Sequence, residues 1–428
     1  MSFSQICLLI LSIISFIFSV LYFYKFLFIL IGIFSKKKTY PNAKENHSFA
    51  IIICGRNEEK VIGNLIESIK SNDYPQDKLK IFVCADNCTD NTAQICKNYG
   101  CEVFERFNNK QVGKGYALNF LFKQIAINFP DYQPDATLVF DADNILTKNY
   151  IKEMNKALDS GVKVCTSYRN SKNFNSNWIS MSSSLHFMKE ARFLHRPKSV
   201  LNLSTHVSGT GFYFSKDVLS FKDGWAYTTL TEDIEFSAFN TIKGEKIGYC
   251  EDAEFYDEQP IKFRQAWKQR LRWAKGGLMG FSLFHGTLIS QFVKTFNFNY
   301  YEYYFSRFFP ATIFYVFSFL ATNLINFIAR ILGLTNSSLI SSMIYLFLPL
   351  LVSVVALYFG SLWETGLAVI CNWKKIKATK WQKIKAILVF PIFQVVIGNI
   401  TGVLALFKKV KWEPIIHDQC ITQQELES

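Results

Sequence analysis

The sequence predicts an α/β domain with a mostly parallel sheet, set between helices long enough to cross a bilayer. Three observations carry this. From about Ser48 to Cys250, short apolar runs alternate with mixed helical stretches, the pattern of a parallel sheet with helices on both faces. Half of the 428 residues are hydrophobic, and they concentrate at the two ends of the chain. The sharpest apolar run, Leu138-Val139-Phe140, leads straight into Asp141-Ala142-Asp143, which places two carboxylates where ligands bind open α/β sheets.

Taken in order, Cys7 to Phe34 is apolar except for serines, one glycine and Lys25, ample for one tilted span. No charge precedes it and Lys36-Lys37-Lys38 follow, the reverse of a cleaved signal peptide. The basic run places the next domain in the cytoplasm. Strands are expected at Phe49–Cys54, Leu79–Cys84, Ala136–Phe140 and Val162–Ser167. Helices are expected at Glu58–Lys70, Thr92–Asn98, Lys114–Asn128, Tyr150–Ser160 and Glu232–Ile242. Beyond the domain, Phe308–Leu332, Leu339–Leu362 and Ala386–Phe407 read as apolar spans. The last contains Pro391 and Gly398 and is basic on both flanks, so the count of crossings does not close unless it is re-entrant or broken. The expected division is 1–40 (membrane helix), 41–258 (α/β domain), 259–302 (interfacial amphipathic helices), 303–412 (membrane region) and 413–428 (tail).

The formal charge of +13 suits an anionic leaflet and a phosphate-rich substrate. Much of it lies beside the apolar runs, which argues against nucleic acid. The cluster Cys84, Cys88, Cys96 and Cys101 has no zinc-site spacing and reads as thiols in a reducing compartment.

The chemistry sits after the strands. Asp141 and Asp143 share one side of an extended chain, and close carboxylates repel unless a cation lies between them. Hard oxygen ligands suit Mg²⁺ or Mn²⁺. The first strand is followed by Arg56-Asn57-Glu58-Glu59 and the second by Asp86. Gly113-Lys114-Gly115 enters a helix whose amides suit an anion, without the glycine and Ser/Thr of a P-loop. Singly, each is as readily a cap or a turn; together they share one sheet edge. Thr231-Glu232-Asp233 opens a helix, either as capping acids or as a general base. Ser208-Gly209-Thr210-Gly211 is a loop with room for a sugar, or a plain turn. In Ile261–Lys275, Phe263, Trp267, Leu271 and Ala274 form one stripe, with Gln269, Arg272 and Trp273 opposite. That pattern fits an interfacial helix but leaves Trp273 off the lipid side.

The ordered set Asn57-Glu58, Asp86, Gly113-Lys114-Gly115, Asp141-Ala142-Asp143, Thr231-Glu232-Asp233 and Gln269-Arg270-Leu271-Arg272-Trp273 resembles the membrane-embedded processive family-2 glycosyltransferases. These include cellulose, mixed-linkage β-glucan, hyaluronan, chitin, poly-N-acetylglucosamine and type 3 capsule synthases. The resemblance covers roughly Ser48–Gly277. It departs at Ala85, which replaces the first acid of the usual Asp-Asp pair.

The resemblance implies a GT-A (Rossmann-like) domain and a UDP-sugar donor held by Glu58, Asp86, Lys114, Asp141, Gln269 and Arg272. It implies Mg²⁺ or Mn²⁺ on Asp141 and Asp143, and Asp233 as base with Glu232 in support. Arg272 would stabilise the leaving UDP. Trp273 with Ser208, Gly209, Thr210 and Gly211 would hold the acceptor. Inversion would give a β-linkage, with UDP-glucose and a β-glucan as the leading expectation. Poly-N-acetylglucosamine, hyaluronan and capsule products are alternatives, as are a non-processive UDP-sugar:lipid transferase and a silent membrane scaffold. A multi-pass plasma-membrane location, a nascent polysaccharide and a second copy or accessory channel partner complete the expectation.

Overall fold

The computed structural model of the protein describes residues 3–308, 320–321, 323–325, 327–329, 331–332, 339–415, 417 and 419–427. Helix α1 (Phe3–Phe34) precedes eight strands. They are β1 (Phe49–Gly55), β2 (Leu79–Asp86), β3 (Glu102–Arg106), β4 (Ala136–Asp141), β5 (Ile145–Leu146), β6 (Val164–Ser171), β7 (Phe212–Ser215) and β8 (Ile247–Asp257). They form one sheet in the order β3-β2-β1-β4-β7-β6-β8-β5.

β1 is buried along nearly its whole length, which is why its sequence is a continuous apolar run. Ile51 and Ile53 pack on one face with Leu65, Ile66 and Tyr150. Ala50 and Ile52 pack on the other with Leu118, Phe122 and Trp225. β1 pairs in parallel with β2 and β4, bringing Cys54 opposite Cys84 and Asp141. The polar residues that follow these strands therefore emerge side by side.

The sheet is mixed rather than mostly parallel. β7 runs antiparallel to β4 and β6, and β5 antiparallel to β8. Parallel pairing needs a crossover that returns over the sheet. Between β6 and β7 the chain instead leaves it through helix Trp178–Glu190, whose Met181, Leu185 and Met188 pack with Val369, Ala386 and Phe390 of the C-terminal helices.

Among the described residues three segments are long and apolar enough to cross a membrane: Ser12–Phe34, Val354–Cys371 and Lys380–Phe407. Most of the expected span Phe308–Leu332 lies outside the described residues, whereas Leu339–Leu362 falls within the helix Leu339–Cys371. The expected segment Ala386–Phe407 is interrupted by a π turn at Gln394–Asn399. Both its flanks bond the α/β domain: Lys375 meets Glu254 at 3.0 Å before it, and His417 meets Glu58 at 3.0 Å after it.

Candidate active site

The strand edge is built from paired charge. Asp86, at the end of β2, is buried and accepts from Arg56 at 2.7 Å on one carboxylate oxygen and from Arg106 at 2.6 Å on the other. Asn57 and Asn87 take left-handed φ values of 58° and 54°, a conformation asparagine tolerates, and turn the chain out of the two strands. The Thr89 amide donates to Asn57 Oδ1 at 2.8 Å, tying the loops together. The helix Lys114–Asn128 opens at Lys114. The Lys114 ammonium donates to the Asp141 carboxylate and, at 2.7 Å, to the Gly209 carbonyl. Gly115 is required where it stands, because a Cβ there would meet the Tyr227 carbonyl at 2.2 Å.

Asp141 and Asp143 both line a cavity of about 320 Å³. The Glu258 amide donates to Asp143 Oδ2 at 2.7 Å. Burial raises the Asp143 carboxyl, but His417 and Lys172 outweigh it and hold the group below its ordinary range. One oxygen of Asp141 is taken by Lys114. Both carboxylates line the cavity, and two hard anionic donors of this kind fit a divalent ion once diphosphate oxygens complete its shell. Glu58 also faces the cavity and carries the His417 imidazole at 3.0 Å. Burial lowers that imidazole, yet Asp143 and Glu58 outweigh it and push it up to about 10.

The helix Glu232–Ile242 brings the second set of acids. Thr231 stands at its cap position without a side-chain capping bond. It packs instead against the helix Phe263–Thr295 at Gly276, where a Cβ would stand 2.4 Å from Thr231 Oγ1. That contact holds Gln269, Arg272 and Trp273 beside Glu232 and Asp233, and all five line the cavity. Burial, with Asp233 beside it, pushes the Glu232 carboxyl up to about 7, and burial also raises Asp233.

The cavity therefore joins Glu58, Asp86, Lys114, Asp141 and Asp143 to Glu232, Asp233, Gln269, Arg272 and Trp273. Ser208 and Gly209 line it as well, but Thr210 and Gly211 do not. The Thr210 hydroxyl is buried and accepts from the Asp141 amide at 2.9 Å. Gly211, at φ +65°, lies under the Phe255 ring and donates to the Val139 carbonyl at 2.9 Å. Both hold the loop to the sheet and offer nothing to an acceptor. The helix carrying Arg272 runs on well past Lys275, and its expected lipid stripe is only partly outward. Phe263 is exposed, whereas Trp267 packs beside Ile179 and Phe393.

Several lining residues carry no sequence signal. Trp412 lies 5.1 Å from the Arg56 guanidinium, and with His417 it makes the tail a wall of the donor edge. Arg169, Glu190, His206 and Arg307 also face the cavity. Only the fold brings residues so far apart in the chain together.

Among known proteins, the chain is 26% identical over 233 residues to a β-monoglucosyldiacylglycerol synthase of Synechocystis, covering 53% of this chain and 47% of that protein. It is 24% identical over 264 residues to a poly-β-1,6-N-acetyl-D-glucosamine synthase of Staphylococcus aureus, covering 60% of each. The chain thus spans about half the length of the curated relatives it matches. A mannosyltransferase of Pyrobaculum calidifontis, solved with GDP-Man and Mn²⁺, superposes with a TM-score of 0.54 at 15% identity, over 90% of this chain and 98% of that one. This likeness identifies the fold as GT-A-like, with a mixed sheet. Residues 46–276, more than half of the chain, match the family described as glycosyltransferase like family 2, and the protein belongs to that family.

Proposed function

We propose that the protein is a membrane-embedded inverting hexosyltransferase that moves a sugar, best fitted by glucose, from UDP to the end of a growing β-glycan. One observation carries this reading: the Asp141/Asp143 pair, the Asp233 carboxylate and the Arg272 guanidinium face a single cavity.

Asp86 Oδ1 accepts from Arg106 and Asn87, whereas Oδ2 accepts, among the described residues, from Arg56 alone and keeps a lone pair that can accept from the imide N–H of uracil. Lys114, at the start of its helix, faces the diphosphate. Asp141 and Asp143 would hold Mg²⁺ or Mn²⁺, which when bound neutralises diphosphate charge. Arg272, which lines the same cavity, would meet the charge that develops on departing UDP. Trp273 offers a ring face to the acceptor sugar, beside Ser208 and Gly209. Asp233 takes the proton from the acceptor hydroxyl as it attacks the anomeric carbon. Glu232, titrating near neutrality, stays partly protonated and spares Asp233 a second full negative charge beside it. One displacement inverts the centre, so an α-linked donor gives a β-linked product.

The likeness to a β-monoglucosyldiacylglycerol synthase favours one second reading, transfer of a single sugar to a lipid. Membranes holding the protein, given single radiolabelled UDP-sugars with Mg²⁺ or Mn²⁺, separate the two. Long polymer, identified by linkage-specific hydrolases, supports the first reading; a singly glycosylated lipid supports the second. UDP release from none of the donors would reject both and leave the silent scaffold. Three candidate spans among the described residues are few for a polymer path, which calls for a second copy or a channel partner. Export of polymer by single copies in liposomes would remove that requirement.

A further inference from the structure

The cavity does not stop at Asp233. Its inner end is walled by His186, Phe187 and Glu190 of the helix Trp178–Glu190, by His206, and by Arg307. None of these serves the donor. We infer that this inner end is the acceptor-reading site, that it takes a sugar residue rather than an acylglycerol, and that His206 hydrogen-bonds a hydroxyl of that sugar. The inference rests on the transferase reading above and deepens it.

His206 is 1% exposed, and neither ring nitrogen has a hydrogen-bond partner among the described residues. Its Nε2 comes within 3.4 Å of a Glu190 oxygen without hydrogen-bond geometry. A buried polar group left unpaired is destabilising, and such groups call for a missing partner. The ring is held in place: His195 lies 4.7 Å away, centroid to centroid, and its own Nδ1 bonds the Thr205 hydroxyl. Burial pushes His206 well below its ordinary value, so the ring is neutral, with one nitrogen donating and the other accepting. A sugar hydroxyl matches both roles.

The surroundings suit a carbohydrate. Trp273 lies 6.2 Å from the His186 ring, stacked on it, and 5.8 Å from Phe187, edge-on. The Glu190 carboxylate is ion-paired with Arg307. An acyl chain laid against these groups would bury them with nothing to bond. A metal ion is disfavoured as well. Glu190, His195 and His206 bring potential ligand atoms within 4.8 Å of one another, but the Arg307 guanidinium already occupies Glu190 and repels a second cation. The backbone is specialised here too. A π turn, Ala191–His195, starts directly after Glu190, and another, Tyr304–Phe308, carries Arg307; such turns recur at functional sites.

The test uses the full-length protein in nanodiscs with UDP bound. Calorimetry measures binding of a β-linked glucose tetrasaccharide, of its 2-acetamido counterpart, and of short-chain diacylglycerol. One of the two oligosaccharides should bind, and His206→Ala should weaken it about tenfold, the loss of one hydrogen bond of about 1.4 kcal/mol. UDP affinity should stay within about twofold of wild type, which also reports that the variant is folded. His206→Gln, which keeps a donor and an acceptor, should recover most of the loss. Binding of diacylglycerol alone, or an oligosaccharide affinity indifferent to His206→Ala, would overturn the inference. Oligosaccharide binding without UDP release from any donor would reject the transferase reading and leave this site standing. UDP release with a silent His206→Ala would do the reverse.

Discussion

At the strand edge Asp86 is gripped by Arg56 and Arg106, and Lys114 reaches from Asp141 to the Gly209 carbonyl. At the inner end His206 buries two nitrogens that meet no hydrogen-bond partner among the described residues. Beside the cavity wall, Glu190 is tied to Arg307, and Trp273 stacks on His186. On the proposed reading, the first region is assembled before any ligand arrives, and the second is completed by the acceptor that binds there. A nucleotide is a constant, highly charged ligand that rewards a fixed cradle, whereas the acceptor end must take hydroxyls whose bonds replace those of water.

The largest expected effect separates the two regions outright. Asp233→Asn should cut transfer by about 10²–10⁴-fold, the worth of a general base, while UDP binds as it does to wild type in calorimetry. Next, Asp86→Ala strands Arg56 and Arg106 and should lower stability by about 3–5 kcal/mol, seen as a fall in the denaturation midpoint with loss of UDP affinity. If UDP affinity survives, Asp86 does not read the base.

A third prediction concerns pH. The Glu232 carboxyl titrates at about 7 in the folded chain and at its ordinary 4.5 when unfolded. Between those values the folded state holds the extra proton, so stability falls as pH rises from 4.5 to 7 and the loss is complete above 7. Glu232→Gln should flatten that limb and gain on wild type above pH 7, by about 3 kcal/mol at most. Thermal unfolding at pH 5 and pH 8 measures it. The smallest effect is steric: Gly276→Ala should push the helix bearing Arg272 off Thr231 and cost about 1–3 kcal/mol. Arg272 and Asp233 would then part, and transfer should fall more than UDP binding does.

The parallel half of the fold was legible because β1, β2 and β4 are buried runs that end in polar residues. β3 was missed because it is a half-exposed edge strand, Glu102–Arg106, with three charged residues in five. β8 alternates in burial along Ile247–Asp257 but carries four acids, which hid it among turns. The helix Trp178–Glu190 was masked by its run of serines, buried against the C-terminal helices. In the site, residues next to strand ends or within short motifs could be found, since spacing alone brings them together. Arg307, His206 and His417 could not, because only tertiary packing carries them to the cavity. Thr210 and Gly211 erred the other way: small residues in a loop signal room for a ligand and room for a neighbouring strand equally well.

On the proposed mechanism, a hydroxyl that Asp233 deprotonates makes a single displacement in one cavity. Proton NMR of the product made from a UDP-α-linked gluco-configured sugar tests it most directly. The new linkage should show the large vicinal coupling of a β-anomeric proton. The small coupling of an α-linkage would contradict it, because retention requires a second displacement or a front-face path that this cavity has not been assigned.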